Sequence, residues 1–186
     1  MRKLKLQVQV TMDGFMAGTN GEMDWMTFNW SDDLNEYVTR LTEPVDTILL
    51  GRNLAQGFIP HWTAAFNNPE TAEDARKMAE TPKVVFSRTL TKSEWENTRI
   101  ADRELAAEVN ALKKQPGSDM IAYGGSMFVS SLLKDNLIDE LHLFVNPATI
   151  GKGMRVFPEA TGNQNFKLVS SRQFECGIVV LTYHPA

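Results

Sequence analysis

The chain has 186 residues, of which 42% are hydrophobic and 23% are charged, and its formal net charge is -4 at pH 7. A chain of this length buries roughly 70% of the surface that its unfolded form exposes, so we predict one domain that spans residues 1–186. The apolar content excludes an intrinsically disordered chain. Because acidic and basic residues are mixed along the sequence without a basic stripe, we expect no nucleic-acid partner.

Cysteine usage and hydropathy indicate the compartment. Cys176 is the single cysteine of the chain, which excludes an intramolecular disulfide and is typical of a reducing compartment. The first residues alternate charged and apolar side chains and lack the continuous apolar core of a secretory signal. No apolar run approaches the ~20 residues that a membrane helix requires. We therefore expect a cytoplasmic protein without a membrane partner.

The first half of the chain alternates predicted strands with predicted helices. Apolar residues at every second position over 4–10 are typical of a strand with one buried face. Ser31 is placed to cap a helix whose apolar residues over 34–41 share one face. Compact apolar runs at 45–50 and 83–86 predict two buried strands.

The second half continues this alternation and ends in two consecutive strands. We predict a loop at 57–69 and helices at 70–80 and through 128–133. A further helix is capped by Asp102, has Leu105, Val109 and Leu112 on its apolar face, and ends at Pro116-Gly117. Strands are predicted at 119–123 and 140–145, followed by a final hairpin with strands at 166–174 and 178–183. Strands that alternate with helices predict a mainly parallel sheet with helices on both faces. The predicted fold class is α/β, with three α/β/α layers and antiparallel strands at the carboxyl terminus.

Three predicted strands are followed by residues that suit a phosphorylated ligand. These residues are Gly51 and Arg52 after the predicted strand at 45–50, Ser87 and Arg88 after the strand at 83–86, and Gly124, Gly125 and Ser126 after the strand at 119–123. In open α/β sheets, ligands bind beyond the carboxyl ends of the strands, where free backbone N–H groups point outward. Each signal alone is weak, because two glycines after a strand often form a plain turn and a surface arginine often has no ligand. Their occurrence at successive strand ends favours a site for the pyrophosphate and phosphate of a dinucleotide.

Two segments rich in small residues follow predicted strands beside this site. We expect residues 11–18 to fold over a ligand as a lid, and residues 146–153 to close the pocket from the opposite side. Trp25 is then a wall of the substrate pocket. The alternative is that Asp13 and Gly14 form a plain turn and that Trp25 is a core aromatic residue.

No motif supports metal or covalent catalysis. His61, His142 and His184 are scattered and match no metal-ligand spacing, so we predict structural roles for them and no metal site. The chain contains no nucleophile elbow, and neither a G-x-G-x-x-G nor a Walker A motif. An organic cofactor would explain how a site with so few reactive side chains carries out chemistry.

In order and spacing, these motifs resemble those of the dihydrofolate-reductase-like superfamily. The resemblance is closest to the reductase domain of the bifunctional riboflavin-biosynthesis deaminase/reductase. The resemblance extends over essentially the whole chain. It rests on Thr11-Met12-Asp13-Gly14, Leu50-Gly51-Arg52, Ser87-Arg88, Tyr123-Gly124-Gly125-Ser126, and the loop from Pro147 to Gly153.

The resemblance implies that NADPH binds across the carboxyl edge of the sheet. The residues that it assigns to the pyrophosphate are Gly124, Gly125, Ser126 and Met127. Those that it assigns to the adenosine end and its 2′-phosphate are Arg52, Ser87 and Arg88, with Gly51 allowing close approach of the backbone. Thr11 and Thr149 are implied to lie near the nicotinamide, and Asp13 and Trp25 to face the substrate as catalytic residues.

The implied activity is hydride transfer from NADPH to a small heterocyclic, carbonyl or imine substrate of pyrimidine or pterin type. It is similar to the reduction of 5-amino-6-(5-phosphoribosylamino)uracil, with the proton supplied by Asp13 or by water. The resemblance also implies a homodimer that uses the C-terminal strands. The alternative is a non-catalytic NADP-binding sensor or a dimeric structural module on the same fold.

The sequence departs from dihydrofolate reductases at two positions. An aromatic hydroxyl is often found one turn into the helix after the two glycines, and this chain carries Phe128 and Val129 there. The pocket acid that assists pterin protonation has two candidates, Asp32 and Asp33, which are alternatively charges at the start of a helix. Both departures argue against folate as the substrate.

Overall fold

The computed structural model describes residues 1–157 and 163–186. Its strands are β1 (Leu4–Thr11), β2 (Phe15–Ala17), β3 (Val45–Gly51), β4 (Lys83–Phe86), β5 (Thr98–Ile100), β6 (Asp119–Tyr123), β7 (Glu140–Asn146), β8 (Met154–Arg155), β9 (Phe166–Gln173) and β10 (Val179–Pro185). Its helices are α1 (Asp32–Thr42), α2 (Arg52–Asn67), α3 (Ala72–Glu80), α4 (Leu105–Lys114) and α5 (Ser126–Lys134).

Eight of the strands form one sheet in the order β5-β4-β3-β6-β1-β7-β10-β9. The pairs from β5 to β7 are parallel, whereas β10 runs antiparallel to both β7 and β9. The strands β2 and β8 form a separate antiparallel pair. A mainly parallel sheet with antiparallel strands at the carboxyl terminus confirms the predicted α/β class.

Helices cover both faces of the sheet and create two apolar cores. On one face, side chains of β1 such as Leu4 and Leu6 pack in a cluster with Val109 of α4 and Val129 of α5. On the other face, the cluster contains side chains of β3, α1 and α2: Ile48, Leu50, Leu34, Leu41, Ala55 and Ile59. Because side chains alternate across a strand, the central strands contribute to both cores.

The first strand is buried on both faces, so the prediction of one buried face is wrong. Its alternate polar residues Lys5 and Gln7 are each 7% exposed. The Lys5 ammonium group lies 3.0 Å from the Asp119 carboxylate and donates to the carbonyl oxygen of Leu41. These partners allow a central strand to carry Lys5 into the interior, since a buried charge needs a partner. The buried Oε1 atom of Gln7 has no hydrogen-bond partner among the described residues.

The prediction of a loop at 57–69 is also wrong, because α2 continues through Gly57 and Pro60 to Asn67. Glycine and proline are unfavourable inside an isolated helix. Here Ile59 is buried against the sheet, and the ring of Phe58 stacks on Tyr123 with 5.4 Å between centroids. Tertiary packing of one helix face therefore outweighs the local preference.

Smaller differences concern the boundaries and the short elements. The helix α4 begins at Leu105 with Glu104 in the N-cap position, not Asp102. The short strands β2, β5 and β8 have no counterpart among the predicted elements. The C-terminal hairpin is confirmed, with the N–H of Phe174 donating to the carbonyl of Ile178 at 3.0 Å.

Two of the three histidines take part in a polar cluster at the amino end of β7. The Nε2 atom of His142 lies 2.7 Å from the Glu140 carboxylate, and its Nδ1 atom lies 3.1 Å from the Tyr37 hydroxyl. His184 contacts the second oxygen of Glu140 at 3.4 Å. The hydrogen bond from His142 is the main cause that lowers the pKa of Glu140 to about 2. The cluster therefore ties β7 and β10 to α1, a structural role of the kind predicted for these histidines.

Over residues 1–157 and 163–186, no helix has the length and apolar character to cross a membrane. Within the same ranges, no three His, Cys, Asp or Glu side chains are grouped as metal ligands.

Candidate cofactor and substrate site

The strand order brings three of the polar strand ends to one place. The strands β4, β3 and β6 are consecutive and parallel, and Leu50 of β3 pairs with both Val85 and Tyr123. The next strand, β1, is also parallel and extends to Thr11. Since parallel neighbours end at the same edge of a sheet, the residues after these strands share one rim.

At the outer part of this rim, arginine and hydroxyl side chains come together. The first residue of α2, Arg52, donates from Nη1 to the Thr89 hydroxyl at 2.8 Å and from Nη2 to Asn53 Oδ1 at 3.1 Å. The Ser87 hydroxyl accepts the N–H of Thr89 at 3.1 Å. Arg88 is exposed to solvent beside them. The Arg52 guanidinium group and the hydroxyls of Ser87 and Thr89, with Arg88 on the same loop, form a cationic patch that suits a phosphate.

The glycines at the strand ends have different surroundings. A Cβ atom on Gly51 would lie 2.9 Å from the Cβ atom of Phe128, and one on Gly124 would overlap the side chain of Val129. A Cβ atom on Gly125 would meet nothing within 4 Å. Gly51 and Gly124 are therefore required for the packing of α5 on the sheet, whereas Gly125 borders open space.

This open space lies at the N-terminus of α5. Gly125 is the N-cap residue, and no side chain caps the helix. The first N–H groups of a helix lack partners inside it, and the helix dipole makes this end positive. Ser126 donates to the sulfur of Met154 at 3.6 Å, and Met127 is 78% exposed. The helix end can therefore receive an anion from the solvent side.

The loops after β1 and β7 lie side by side, so the prediction that they close the pocket from opposite sides is wrong. The two strands are neighbours, with Thr11 paired to Asn146. Beyond this pair, the N–H of Met12 donates to the carbonyl of Ala148 at 2.8 Å, and β2 then pairs with β8. Local sequence patterns do not specify which strands are adjacent, and adjacency brings the loops together.

Asp13 fastens these two loops to each other. Its carboxylate accepts hydrogen bonds from the Thr11 hydroxyl at 2.6 Å, from the N–H of Gly151 at 2.7 Å and from the N–H of Ile150 at 3.2 Å. The hydrogen bond from Thr11 is the main cause that lowers the pKa of Asp13 below its ordinary value. An ionised carboxylate with these three donors orders the loops and is a poor proton donor at neutral pH.

The two threonines assigned to the nicotinamide differ in accessibility. Thr11 is 2% exposed, and its hydroxyl, which donates to Asp13, also accepts the N–H of Phe15 at 2.9 Å. Thr149 is exposed in the loop after β7. Of these two hydroxyls, that of Thr149 is therefore the one open to a ligand.

Asn146, which the sequence patterns placed only in a loop, belongs to the candidate site. It is fully buried, and its Oδ1 atom accepts the N–H of Thr27 at 2.9 Å while its Nδ2 atom donates to Gln9 Oε1 at 2.8 Å. These bonds hold the segment that contains Trp25 against the end of β7. The indole N–H of Trp25 is buried and has no acceptor among the described residues. The signal that would have found Asn146 is an amide at the end of an apolar strand.

Asp33 has the contacts of a charge at a helix end. It accepts hydrogen bonds from the Ser31 hydroxyl at 2.5 Å and from the N–H of Glu175 at 3.3 Å. The bond from Ser31 is the main cause that lowers the pKa of Asp33. Together these contacts hold the tip of the β9–β10 hairpin on the start of α1. Asp32, the other candidate for a pocket acid, is exposed.

Comparison with solved structures gives the class of this fold. A putative riboflavin biosynthesis protein from Shewanella sp. PV-4 matches with a TM-score of 0.72 and 22% identity, over 99% of each chain. Dihydrofolate reductase from Enterococcus faecalis, solved with NADP(H), matches with a TM-score of 0.64 and 14% identity, over 98% of this chain and 96% of that one. The chain therefore has the dihydrofolate-reductase-like fold.

A third structure is a bifunctional deaminase and 5-amino-6-(5-phosphoribosylamino)uracil reductase from Thermotoga maritima. It matches with a TM-score of 0.71 and 18% identity, over 100% of this chain and 57% of that one. The model of the RibD C-terminal domain family matches residues 2–180. This protein belongs to that family, which confirms the resemblance seen in the sequence.

Two relatives come from Bacillus subtilis strain 168. The uncharacterized protein YyaP is 34% identical over 188 residues, which cover 98% of this chain and 95% of that protein. The uncharacterized protein YwjB is 25% identical over 173 residues, which cover 93% and 92%.

Proposed function

We propose that this protein is an NADPH-dependent reductase that transfers hydride to a small heterocyclic, carbonyl or imine substrate of pyrimidine or pterin type. The reaction is similar to the reduction of 5-amino-6-(5-phosphoribosylamino)uracil. The observation that carries the proposal is the single rim formed by the ends of β4, β3 and β6. On this rim an arginine and hydroxyl patch lies beside an uncapped helix N-terminus.

The residues present fit a dinucleotide that bears a 2′-phosphate. The space beside Gly125 is open, and the N–H groups of Ser126 and Met127 belong to the first turn of α5, where a pyrophosphate would be held. The charge-assisted donors that the 2′-phosphate requires come from Arg52 and Arg88. Ser87, which lies between the end of β4 and Arg88, adds a hydroxyl. When bound, the nicotinamide ring supplies the hydride.

On the substrate side, the chain provides orientation and exclusion of water. Trp25 forms a wall of the pocket, and Asn146 fixes the segment that carries it. Thr149 offers an accessible hydroxyl near the ring. We assign Asp13 to holding the loops in position, because its carboxylate is kept ionised by three hydrogen bonds. The proton that follows the hydride then comes from water.

Thermal unfolding with NADPH, NADP⁺ and NADH tests the proposal. At a concentration of about 100 times Kd, a ligand adds about 2.7 kcal/mol to the free energy of unfolding. For a domain of this size, that corresponds to a rise in Tm of roughly 5–10 °C. We expect this rise with NADPH and NADP⁺ and a smaller one with NADH.

If none of the three dinucleotides raises Tm, the proposal of a reductase is contradicted. NADPH oxidation with a panel of pterins and pyrimidines then distinguishes a catalyst from an NADP-binding sensor, since a sensor shows the thermal shift without turnover.

We also propose a cytoplasmic location, because the single cysteine Cys176 is free, as is usual in a reducing compartment.

We further propose a homodimer that pairs through β9. This strand is the last of the sheet, and every residue after Phe166 in it is exposed. Leu168 and Val169 are 52% and 51% exposed. An edge strand with free N–H and C=O groups and apolar side chains is suited to pairing with a second copy. Light scattering is expected to give twice the chain mass, and Val169→Lys to shift the protein to monomer; a monomeric wild type would contradict this proposal.

A further inference from the structure

Strand β1 lies in the interior of the sheet, and one of its residues is reached by solvent. Gln9 is partly exposed, whereas every other residue of β1 is buried. The pairing of β1 with β6 ends at Gln7 and Tyr123, so Gln9 lies two residues beyond the last pair on that side. Solvent therefore reaches the central strand at the rim where the cofactor site is proposed.

The side chain of Gln9 stands on the face of the sheet that α1 and α2 cover. Gln9 pairs with Phe144 of β7, which belongs to the apolar cluster under these helices. Trp30 stacks on Phe144 with 6.3 Å between ring centroids. On the other side, Phe58 of α2 stacks on Tyr123 of β6. Because β1 lies between β6 and β7, the amide of Gln9 is a polar group between two aromatic pairs, which suits a planar heterocycle.

Asn146 fixes the orientation of the Gln9 amide. Its Oδ1 atom accepts the backbone N–H of Thr27 at 2.9 Å, and its Nδ2 atom donates to the backbone carbonyl of Phe144 at 3.0 Å. Since a backbone N–H only donates and a carbonyl only accepts, these two partners determine which end of the Asn146 amide is nitrogen. The same Nδ2 atom donates to Gln9 Oε1 at 2.8 Å. The other end of the Gln9 amide is therefore the donor, Nε2.

The Nε2 atom of Gln9 is available to a ligand. The bond from Asn146 is the only side-chain hydrogen bond of Gln9 among the described residues. Within the same ranges, the buried side-chain atoms that lack a partner belong to Gln7, Trp25 and Glu108, so Nε2 of Gln9 is not sealed from solvent. An accessible NH₂ group of fixed orientation favours a ligand that presents an acceptor and disfavours one that presents a second donor.

We propose that Gln9 determines the specificity of the proposed reductase, by donating from Nε2 to a carbonyl oxygen of a planar heterocyclic substrate. Asn146 is the positioning residue, because it turns Nε2 rather than Oε1 toward the ligand. This inference rests on the proposed function for the presence of a substrate at this rim. It narrows the substrate class to rings that present a carbonyl group at this point, such as pyrimidinediones, and disfavours rings that present an amino group there.

Fluorescence titration of the full chain with lumazine and 2,4-diaminopteridine tests this role, because amino groups replace both ring carbonyls of lumazine in the second compound. We expect the wild type to bind lumazine about ten times more tightly. Gln9→Glu keeps an oxygen that accepts from Asn146 and replaces the free donor with an acceptor, so the preference is expected to reverse. Gln115→Glu is the matched control, expected to keep the wild-type preference, since this exposed residue follows α4 and precedes the amino end of β6.

Asn146→Ala frees the Gln9 amide to turn, so the two affinities are expected to become nearly equal, a change of ratio that a loss of packing alone would not produce. Gln9→Met keeps the length of the side chain without its amide and is expected to weaken the binding of lumazine alone. Equal affinities in the wild type, an unchanged preference in Gln9→Glu, or no binding of either compound at millimolar concentration would each overturn this role. These titrations contain no dinucleotide, so the thermal shift with NADPH tests the proposed function separately.

Discussion

Replacing both Arg52 and Arg88 with alanine is expected to abolish the preference for NADPH over NADH. A charge-assisted hydrogen bond to a phosphate contributes about 1.5–3 kcal/mol, which corresponds to roughly tenfold to a hundredfold in affinity. Arg52 now donates to Thr89 at 2.8 Å and Arg88 is exposed, so both can turn to a phosphate without breaking a buried contact. Fluorescence titration of the two dinucleotides measures the ratio of their Kd values.

The affinity for NADH serves as the internal control, since this dinucleotide lacks the 2′-phosphate and its Kd is expected to change little. Each single variant is expected to lose part of the preference. A double variant that keeps the selectivity of the wild type would place the 2′-phosphate elsewhere.

Gly125→Val is expected to weaken NADPH binding by about a hundredfold or more while the protein stays folded. Gly125 has φ −105° and ψ 148°, an extended conformation that valine adopts readily. A Cβ atom there meets no protein atom within 4 Å. We expect the methyl groups of valine to fill the space in front of the first N–H groups of α5. Loss of glycine from the N-cap position costs about 0.5–1 kcal/mol, which lowers Tm by only a few degrees.

Gly124→Ala is the matched variant at the adjacent position. Its Cβ atom would overlap the side chain of Val129, which is fully buried, and would lie 3.1 Å from Met16. Overpacking of this kind costs typically about 1–3 kcal/mol, so we expect Tm to fall by roughly 3–10 °C.

Equal NADPH affinity in Gly125→Val and wild type would show that the pyrophosphate does not lie at this helix end.

Much of the fold follows from local patterns of the sequence. The apolar runs at 45–50, 83–86 and 119–123 are strands, and the helix after Ser31 begins where the cap and the first-turn acids predict. These patterns suffice because a strand that is buried on both faces forms a short continuous apolar run, and an amphipathic helix directs its apolar side chains to one side. Both patterns are visible residue by residue. The final hairpin is equally local.

The helix α2 shows where local patterns fail. Gly57 and Pro60 indicate a loop, but the contacts of Ile59 and Phe58 with the sheet keep the segment helical. Those contacts involve residues such as Tyr123, far along the chain, and no window of the sequence around α2 contains them. The burial of Lys5 is equally invisible in the local sequence, because its partner, Asp119, lies far along the chain.

The sequence by itself determined the class of fold, the polar residues at the strand ends and the family resemblance. The tertiary structure alone decided which of those residues meet. The order β4-β3-β6-β1-β7 unites the strand ends on one rim, places the loops after β1 and β7 side by side, and brings Asp13 to the N–H of Gly151. The physical reason is that pairing between parallel strands is non-local, so a hydrogen bond across more than a hundred residues leaves no mark in the pattern around either partner.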